Sequence, residues 1–476
     1  MSLHGKNKIY LDETRSVEER AKDLLLDMSL EEKMAQVNCV FPFDKKAMDL
    51  AWIAERVPYG IGEVSTLEMR RIPTLQGAAQ WVKDVQTLVM EKSPHHIPAI
   101  FHMEGLCGAF IQEATSFPSG IARGASFDPD LEEQIGSCVA EQELACGITH
   151  ILAPVLDISR DSRMGRQGES YGEDPALASA MGVAYTKGIQ ETSVDGRQAE
   201  SVAKHFLAFH NSQGGIHGTH SDTPERLLQE IYGKPFQAAI KEAGLRGIMP
   251  CYCSIDGEPA SLSHKLLTDL LREQMGFDGL CISDYGGIEN SHNYQRIGES
   301  MADAGEMALA AGMDVEMPSP AGYGKELQER FANQALDIGV LDQAVYRVLC
   351  AKFRMGLFEH PYPLMDDKLE NVYRKADKGK QLTTKRIKQL RGNKIVLVPQ
   401  SVSYLDPLMK VGEQVAGGKD RISLEKSRKA LTRYGLDKEV DNMYPFELSG
   451  GMARQVLIGT AVVEKPELVI ADEPTP

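Results

Sequence analysis

The sequence predicts an α/β fold: a TIM-like (β/α)8 barrel followed by a partial α/β segment. Short apolar runs, typical of buried strands, alternate with longer amphipathic stretches that suit crossover helices. Each run is followed by a charged or polar residue, as are barrel strands whose carboxyl ends form an active site. The runs and the residues that follow them are 97–101 with Glu104, 148–156 with Asp157, 201–203 with Lys204 and His205, 245–249 with Tyr252, 279–282 with Asp284, and 313–315 with Glu316.

The closed barrel is preferred to an open doubly wound sheet because six strands carry polar ends, whereas an open sheet gathers ligands at one switch point. Two capping boxes, Ser16 with Glu19 and Ser29 with Glu32, predict helices at about 16–28 and 29–38.

Composition places the chain among globular proteins. It has 476 residues, of which 42% are hydrophobic and 25% charged, and its net charge of −16 argues against nucleic acid as a partner. Residues 373–476 carry 19 Lys and Arg against 13 Asp and Glu, the reverse of the acidic remainder. This change of sign indicates a boundary. We expect a barrel over 1–365, a linker over 366–379 and a second segment over 380–476.

The eight cysteines form no Cys-x-x-Cys pair, so no metal site is expected, and most lie in apolar runs typical of reduced, buried thiols. The N-terminus has no apolar leader, and no run reaches the 18 apolar residues of a membrane span. These observations predict a cytoplasmic protein. The oligomeric state stays open.

Asp284 is the candidate catalytic group. A carboxylate at a strand end can attack an anomeric carbon, provided that an acid protonates the leaving oxygen. Arg, Lys and His side chains nearby are the donors that hold sugar hydroxyls.

Six motifs support this chemistry by their order along the chain. They are 157–166, 169–175 (Glu-Ser-Tyr-Gly-Glu-Asp-Pro), 204–206 (Lys-His-Phe), 249–252 (Met-Pro-Cys-Tyr), 283–285 (Ser-Asp-Tyr) and 353–358 (Phe-Arg-Met-Gly-Leu-Phe). With these motifs, residues of about 10–365 resemble glycoside hydrolase family 3. The resemblance implies a retaining hydrolase of β-glucosides, β-xylosides or related non-reducing-end sugars, with no cofactor. The roles that it implies are nucleophile for Asp284, sugar binding for Arg166, Lys204 and His205, and binding of distal sugar hydroxyls for Glu104. Asp157, Met249 and Tyr252 are implied to line the same site.

Structural alternatives exist for several of these residues when they are taken alone. Asp284 has the position of a helix N-cap, Lys204 and His205 suit a buried ion pair, and Arg166 has Glu169 and Asp174 within reach on a surface loop. Glu316 is equally consistent with a salt bridge at the barrel rim and is left out of the predicted site.

The general acid is not evident. Most family members take it from a domain after the barrel, and one branch takes it from a His-Asp pair on the loop after Lys-His-Phe. Here that loop holds His217, His220 and Asp222, at a spacing that departs from the branch; a polar surface loop is the alternative. We therefore expect weak turnover, or a barrel that binds sugar without turnover.

A second resemblance covers residues of about 380–476, which are similar to ATP-binding-cassette ATPases of the oligopeptide and nickel importers. The matching positions are Gln400 for the Q-loop, Ser449, Gly450 and Gly451 for the signature, and Asp472 and Glu473 for Walker B. Gly-x-x-x-x-Gly-Lys-Ser/Thr occurs nowhere in the sequence. ATP and Mg²⁺ are thus expected only if this segment functions, ATP hydrolysis is not expected, and the segment is predicted to pack poorly.

Overall fold

The computed structural model describes residues 8–42, 49–376, 394–398, 404–417, 421–463, 465–466 and 468–471. The chain divides into two compact units, Met1–Ala376 and Asp377–Pro476. The first unit therefore extends past the predicted boundary at residue 365. The reason is a helix of 11 residues, Asp366–Ala376, which buries Leu369, Val372 and Tyr373 in the core of the first unit. The predicted linker over 366–379 thus begins too early.

Seven parallel strands form one curled sheet in the first unit, and neighbours in the sheet follow the order of the chain. The strands β1 to β7 are Cys39–Val40, Glu63–Ser65, Ile100–Met103, His150–Ile151, Glu200–Phe206, Gly247–Pro250 and Leu280–Cys281.

Residues 313–317 take the place of an eighth strand and close the barrel. Backbone bridges join Ile282 to Val315 on one side and Asn38 to Glu316 on the other, both parallel. The N–H of Glu316 donates to the carbonyl of Val37 at 2.9 Å. The predicted (β/α)8 class is therefore confirmed, with a last strand that is too short and irregular for a regular ladder.

Helices fill the connections between the strands. Both predicted capping boxes are present, and they open Val17–Asp27 and Leu30–Gln36. The further helices of this unit are Leu50–Arg56, Leu75–Lys92, Gly120–Gly124, Pro129–Ala145, Pro175–Gln190, Glu225–Leu227 continued by the π-helical Leu228–Tyr232, Lys234–Ala243, the π-helical Lys265–Gln274, Gly287–Asn293, Met301–Ala311, Lys325–Ala332, Ile338–Arg354 and Asp366–Ala376.

Glu316 has a structural role. Its carboxylate is buried and accepts hydrogen bonds from the backbone N–H groups of Ala321, Gly322 and Tyr323 at 2.7–2.9 Å. It therefore anchors the turn after the eighth strand through backbone groups rather than through the rim salt bridge considered from the sequence.

Asp314 holds the strand before it and two arginine side chains through its carboxylate, and we expect its removal to lower the stability of the fold. Its fully buried carboxylate contacts Arg272 at 2.7 Å and Arg347 at 2.8 Å, and it accepts from the N–H of Cys281 at 2.8 Å. Because Asp314→Ala leaves the guanidinium groups of Arg272 and Arg347 without their carboxylate partner, the free energy of unfolding should fall by about 3 kcal/mol. Urea unfolding followed by tryptophan fluorescence measures this, since Trp52 and Trp81 both lie in the first unit.

The matched control is Asp278→Ala, which removes an exposed carboxylate paired with Arg246 at 2.8 Å. Exposed pairs contribute about 1 kcal/mol or less. Equal losses in the two variants would contradict the structural role given to Asp314.

The second unit contains a parallel pair of strands, Ile395–Val398 and Leu468–Ala471, and the helices Val411–Ala416, Arg421–Arg433 and Gly450–Val462. Its described part buries an apolar cluster that includes Val398, Val411 and Leu431. The prediction of poor packing is therefore wrong for these residues. The helices pack against one another, and Gly450–Val462 packs against the strand Ile395–Val398, so the apolar cluster forms among the described residues.

Among the described residues, no helix is both long and apolar enough to cross a membrane. The same residues contain no group of three His, Cys, Asp or Glu side chains arranged to hold a metal ion.

Candidate active site

The polar residues that follow the strands converge at the carboxyl end of the barrel. Lys204 Nζ donates to Glu104 Oε2 at 2.6 Å. His205 lies between two carboxylates, with Nδ1 at 2.7 Å from Asp157 Oδ2 and Nε2 at 3.6 Å from Asp284 Oδ2. The structure thus brings together the five polar residues that the sequence placed at four different strand ends.

Lys204 and His205 both belong to this cluster although they are adjacent in β5. Successive residues of a regular strand point to opposite faces. The register between β5 and β6 shifts between Lys204 and Phe206, and such irregularities re-aim side chains. Both side chains are almost fully buried, Lys204 at 3% and His205 at 2% exposure. The buried ion pairs considered from the sequence do exist, and they lie within the candidate site.

Arg166 connects the loop after Asp157 to this cluster. Its guanidinium holds Glu169 by two hydrogen bonds of 2.8 and 2.7 Å, and Nη2 lies 3.1 Å from His205 Nε2. It also lies over the ring of Phe209, 5.2 Å from the centroid. Arg166 therefore forms the pairing with Glu169 considered from the sequence, but in contact with the candidate site.

The contacts of His205 define its protonation state. A guanidinium only donates hydrogen bonds, so Nε2 must accept from Arg166 and the proton must lie on Nδ1, which donates to Asp157. Burial lowers the pKa of His205 well below its usual value, and burial raises the pKa of Asp157 to about 6. His205 is therefore neutral at pH 7, and Asp157 is largely ionised.

We expect ¹⁵N NMR to show this tautomer directly. In a ¹⁵N-histidine-labelled sample at pH 6–7, the ring of His205 should give one protonated nitrogen, Nδ1, and one unprotonated nitrogen, Nε2. The His205→Gln variant identifies the signals by their loss, and the exposed His264 serves as an internal reference. Two protonated nitrogens at pH 6 would contradict the assignment.

Asp284 lies just after β7 with its side chain 14% exposed, so its carboxylate is accessible and still fixed. Oδ1 accepts from the N–H of Tyr285 at 2.7 Å. The helix that follows has Gly286 as its N-cap, which rules out the N-cap alternative for Asp284. Burial and the neighbouring carboxylate of Asp284 raise the pKa of Tyr252, and the Tyr252 hydroxyl donates to the carbonyl of Tyr285 at 2.8 Å.

The other predicted lining residue, Met249, lies deeper. It is 1% exposed and belongs to an apolar cluster with Val202 and Leu280, against which Tyr285 packs. Met249 therefore supports the floor of the site.

The three candidates for the general acid, His217, His220 and Asp222, lie in two different environments. The ring of His217 packs on Tyr252 at 4.8 Å and on Phe209 at 5.1 Å between centroids. His217 and Tyr252 line a cleft of about 360 Å³ together with Gly218, Asn290, Tyr294 and Gln295. By contrast, His220 and Asp222 pair with each other at 3.2 Å and are largely exposed. Of the three acid candidates, only His217 packs against Tyr252, which lies near Asp284.

Three contributors to the site were missed as functional residues. Glu169 occurs in a quoted motif, but only its pairing with Arg166 was considered. Phe209 follows Lys-His-Phe by three positions, and its ring packs at a tilt against that of His205, with 4.8 Å between the centroids. Tyr285 had only its place after Asp284 as a signal. Each acts through contacts between strands or loops that are distant in the sequence.

Comparison with known proteins decides the family. Residues 29–351 match the model of the glycosyl hydrolase family 3 N terminal domain. The chain belongs to this family. Residues 371–476 match the ABC transporter family model, which confirms the second resemblance.

Similar curated proteins of the family include a beta-xylosidase of Formosa agariphila, 34% identical over 337 residues. That alignment covers 66% of this chain and 46% of the relative. A lysosomal beta glucosidase of Dictyostelium discoideum is 33% identical over 290 residues, which cover 59% of this chain and 35% of the relative. The chain thus spans less than half of the length of these curated relatives.

Solved structures of the family confirm the fold. A β-glucosidase from Erythrobacter marinus superposes with a TM-score of 0.71 at 28% identity, over 83% of this chain and 54% of that one. A beta-glucosidase from Listeria innocua, solved in complex with glucose, gives a TM-score of 0.65 at 28% identity, over 80% of this chain and 54% of that one.

The ATPase-like positions are only partly described. Gln400, Asp472 and Glu473 lie outside the described residues. Ser449 caps the helix Gly450–Val462, and its side chain accepts from the N–H of Met452 at 3.3 Å. Gly450 and Gly451 form the first turn of this helix, as the resemblance implies.

Proposed function

We propose that the barrel is a retaining glycoside hydrolase that acts on β-linked non-reducing-end sugars with Asp284 as its nucleophile. The observation that carries the proposal is the position of this carboxylate: it is accessible, it is fixed by the Tyr285 N–H, and it lies 3.6 Å from the buried ring of His205, whose neighbour Lys204 pairs with Glu104. The named activities of the family relatives, β-glucosidase and β-xylosidase, support the same substrate class.

The reaction follows from this geometry in two displacements. One oxygen of Asp284 attacks the anomeric carbon, the bond to the leaving oxygen breaks, and that oxygen takes up a proton. The glycosyl ester on Asp284 is then attacked by water, which loses a proton and releases the sugar with its original anomeric configuration. Asp284 returns as a carboxylate.

Sugar hydroxyls have charged partners around Asp284. Glu104 is 27% exposed and remains open to a ligand on the side away from Lys204. Asp157 Oδ1 is buried and has no hydrogen-bond partner among the described residues, so it is free to accept from a hydroxyl. Lys204 and Arg166 supply charge-assisted donors, which strengthen such contacts.

For the general acid we propose His217, because its ring packs against Tyr252 beside the nucleophile. Burial lowers the pKa of His217, so only a small fraction is protonated at pH 7. An acid that is mostly deprotonated limits substrates whose leaving group needs a proton. Aryl glycosides with acidic phenols should therefore turn over far faster than alkyl glycosides.

The same observation favours a second candidate, a sugar-binding barrel without turnover of natural glycosides. Sugar binding measured by calorimetry, with no hydrolysis of an alkyl β-glycoside, would favour it. For the segment that matches ABC transporters, we propose neither nucleotide hydrolysis nor any contribution to the glycosidase, because the phosphate-binding Gly-x-x-x-x-Gly-Lys-Ser/Thr sequence is absent from this chain.

The stereochemistry of the first product tests the proposal. Activated aryl β-glucoside, β-xyloside and N-acetyl-β-glucosaminide are incubated with the protein and followed by ¹H NMR. A retaining enzyme gives the β-anomer before mutarotation, and this is the expected result for at least one sugar. Initial formation of the α-anomer, or no hydrolysis of any of the three, would overturn the proposal.

A further inference from the structure

The hydroxyl of Tyr285, the residue after the proposed nucleophile, reaches across the barrel to the first strands. Its Oη lies 2.5 Å from Ser65 Oγ on β2 and 2.8 Å from His102 Nε2 on β3. Tyr285 itself follows β7. Because β2 and β3 are not neighbours of β7 in the sheet, these contacts span the interior of the barrel.

His102 is held by a buried carboxylate on its other side. Glu63 Oε2 lies 2.8 Å from His102 Nδ1, and Glu63 and His102 are at most 1% exposed. Burial alone would raise the pKa of Glu63, but His150 and His102 outweigh burial and lower that pKa to about 2. An ionised carboxylate only accepts, so the proton of His102 lies on Nδ1 and Nε2 is directed at Tyr285.

The register of the strands explains why these groups meet. Ser65 pairs directly with His102 between β2 and β3, and Glu63 lies two residues before Ser65. Residues two apart in a strand share a face, so Glu63, Ser65 and the opposing His102 project to the same side. Their positions are thus set by strand backbone, the most rigid part of the fold.

The backbone of Tyr285 connects the contacts of its hydroxyl to the carboxylate of Asp284. Its N–H donates to Asp284 Oδ1 at 2.7 Å, and its carbonyl accepts from the Tyr252 hydroxyl at 2.8 Å. We propose that Glu63, His102 and Tyr285 form a positioning relay that fixes the Asp284 carboxylate for attack on the sugar. This inference rests on the proposed function of Asp284. Tyr285 and His102 are positioning residues, since they act through Asp284.

The first test removes the hydroxyl of Tyr285, which contacts His102 and Ser65. Tyr285→Phe is labelled with an activated 2-deoxy-2-fluoro-β-glycoside, and both the maximal labelling rate and the half-saturating concentration are measured. Because small misplacements of reacting groups are costly, we expect the maximal rate to fall by about 10²-fold. The half-saturating concentration should change little, because the groups proposed to hold sugar hydroxyls stay in place.

The matched control is Tyr323→Phe. Tyr323 also buries its hydroxyl in the barrel, where it donates to the carbonyl of Met313 at 2.8 Å, outside the relay. Its labelling rate should equal that of the unchanged protein. Equal rates in the Tyr285→Phe and Tyr323→Phe variants would overturn the relay and leave the proposed function standing. If the unchanged protein is labelled neither by the 2-fluoro glucose and xylose probes nor by a 5-fluoro N-acetylglucosamine probe, the proposed function itself fails.

A pair of substitutions at His102 separates positioning from a structural role. In His102→Gln the side-chain amide reaches the place of Nε2, which keeps the contact to Tyr285 and loses that to Glu63. In His102→Asn the amide takes the place of Nδ1, which keeps Glu63 and loses Tyr285. The relay predicts that, per folded molecule, the His102→Gln variant is labelled faster than the His102→Asn variant. Faster labelling in His102→Asn would assign His102 to the stabilisation of Glu63 and overturn the proposal.

Ser65→Ala keeps the proposal testable if the His102 variants do not fold, because it removes one small hydroxyl. The relay predicts a smaller drop in the same maximal rate than that of Tyr285→Phe. An unchanged rate in Ser65→Ala together with an unchanged rate in Tyr285→Phe would contradict it.

Discussion

Replacing Asp284 by asparagine should lower the turnover of an activated aryl β-glycoside by about 10⁴-fold or more, a loss typical of removing a nucleophile. The amide keeps the volume and the hydrogen bond from Tyr285, but it is a poor nucleophile towards an anomeric carbon. Steady-state kinetics with a chromogenic substrate measure the loss. Because the fold is not disturbed, circular dichroism and the melting temperature should be nearly unchanged.

A small external anion should replace the missing nucleophile and so identify the step that Asp284 performs. In Asp284→Gly, the space left by the carboxylate admits azide, which attacks the same face of the sugar. The expected product is an α-glycosyl azide, detected by ¹H NMR, with turnover that rises with azide concentration. The control is Asp269→Asn, a carboxylate that is 46% exposed and pairs with His264. Undiminished turnover in Asp284→Asn would refute the role of Asp284.

Lys204→Met should cause the second largest effect. It removes an almost fully buried cation whose partner Glu104 lies at 2.6 Å, and it keeps the length of the side chain. Breaking such a pair costs about 3–5 kcal/mol, which corresponds to about 10²–10⁴-fold in kcat/KM if the cost falls on sugar binding. The loss should appear mainly in KM, with kcat little changed, because a hydroxyl held by this pair is bound equally in the ground state and in the transition state.

The control for Lys204→Met is Lys265→Met. Lys265 contacts Glu225 at 3.0 Å, but both side chains are more than half exposed. Exposed pairs contribute little, so kcat/KM should be unchanged. A loss below about tenfold in Lys204→Met would show that this pair stabilises the strand end rather than the bound sugar.

The sequence allowed the barrel class to be predicted because six strand runs carry polar residues at their ends, and those residues do converge. It did not reveal β1 and β2, because Cys39 directly follows the helix predicted at about 29–38 and Glu63–Ser65 contains a charged and a polar residue instead of an apolar run. For the same reason Glu63 was not recognised as a member of a buried polar cluster.

The sequence was sufficient to predict which residues form the candidate site, but not which of them contact each other. Lys204 and His205 face the same site only because of the register shift in β5, which no residue pattern announces. The contact of Tyr285 with His102 depends on closure of the barrel, which brings distant strands together. The helix Asp366–Ala376 resembled a linker because it is polar overall, although one face, with Leu369 and Val372, is buried.

The most direct test of the account is the mass of the protein after incubation with an activated 2-deoxy-2-fluoro-β-glycoside. The fluorine slows both displacements, the activated leaving group makes the acid unnecessary, and the glycosyl ester therefore accumulates. Intact-mass spectrometry should show one added sugar, peptide mapping should place it on Asp284, and the Asp284→Asn variant should show none. A sugar on another residue, or no adduct with the 2-fluoro analogues of glucose and xylose and a 5-fluoro analogue of N-acetylglucosamine, would contradict the assignment of Asp284 as the nucleophile.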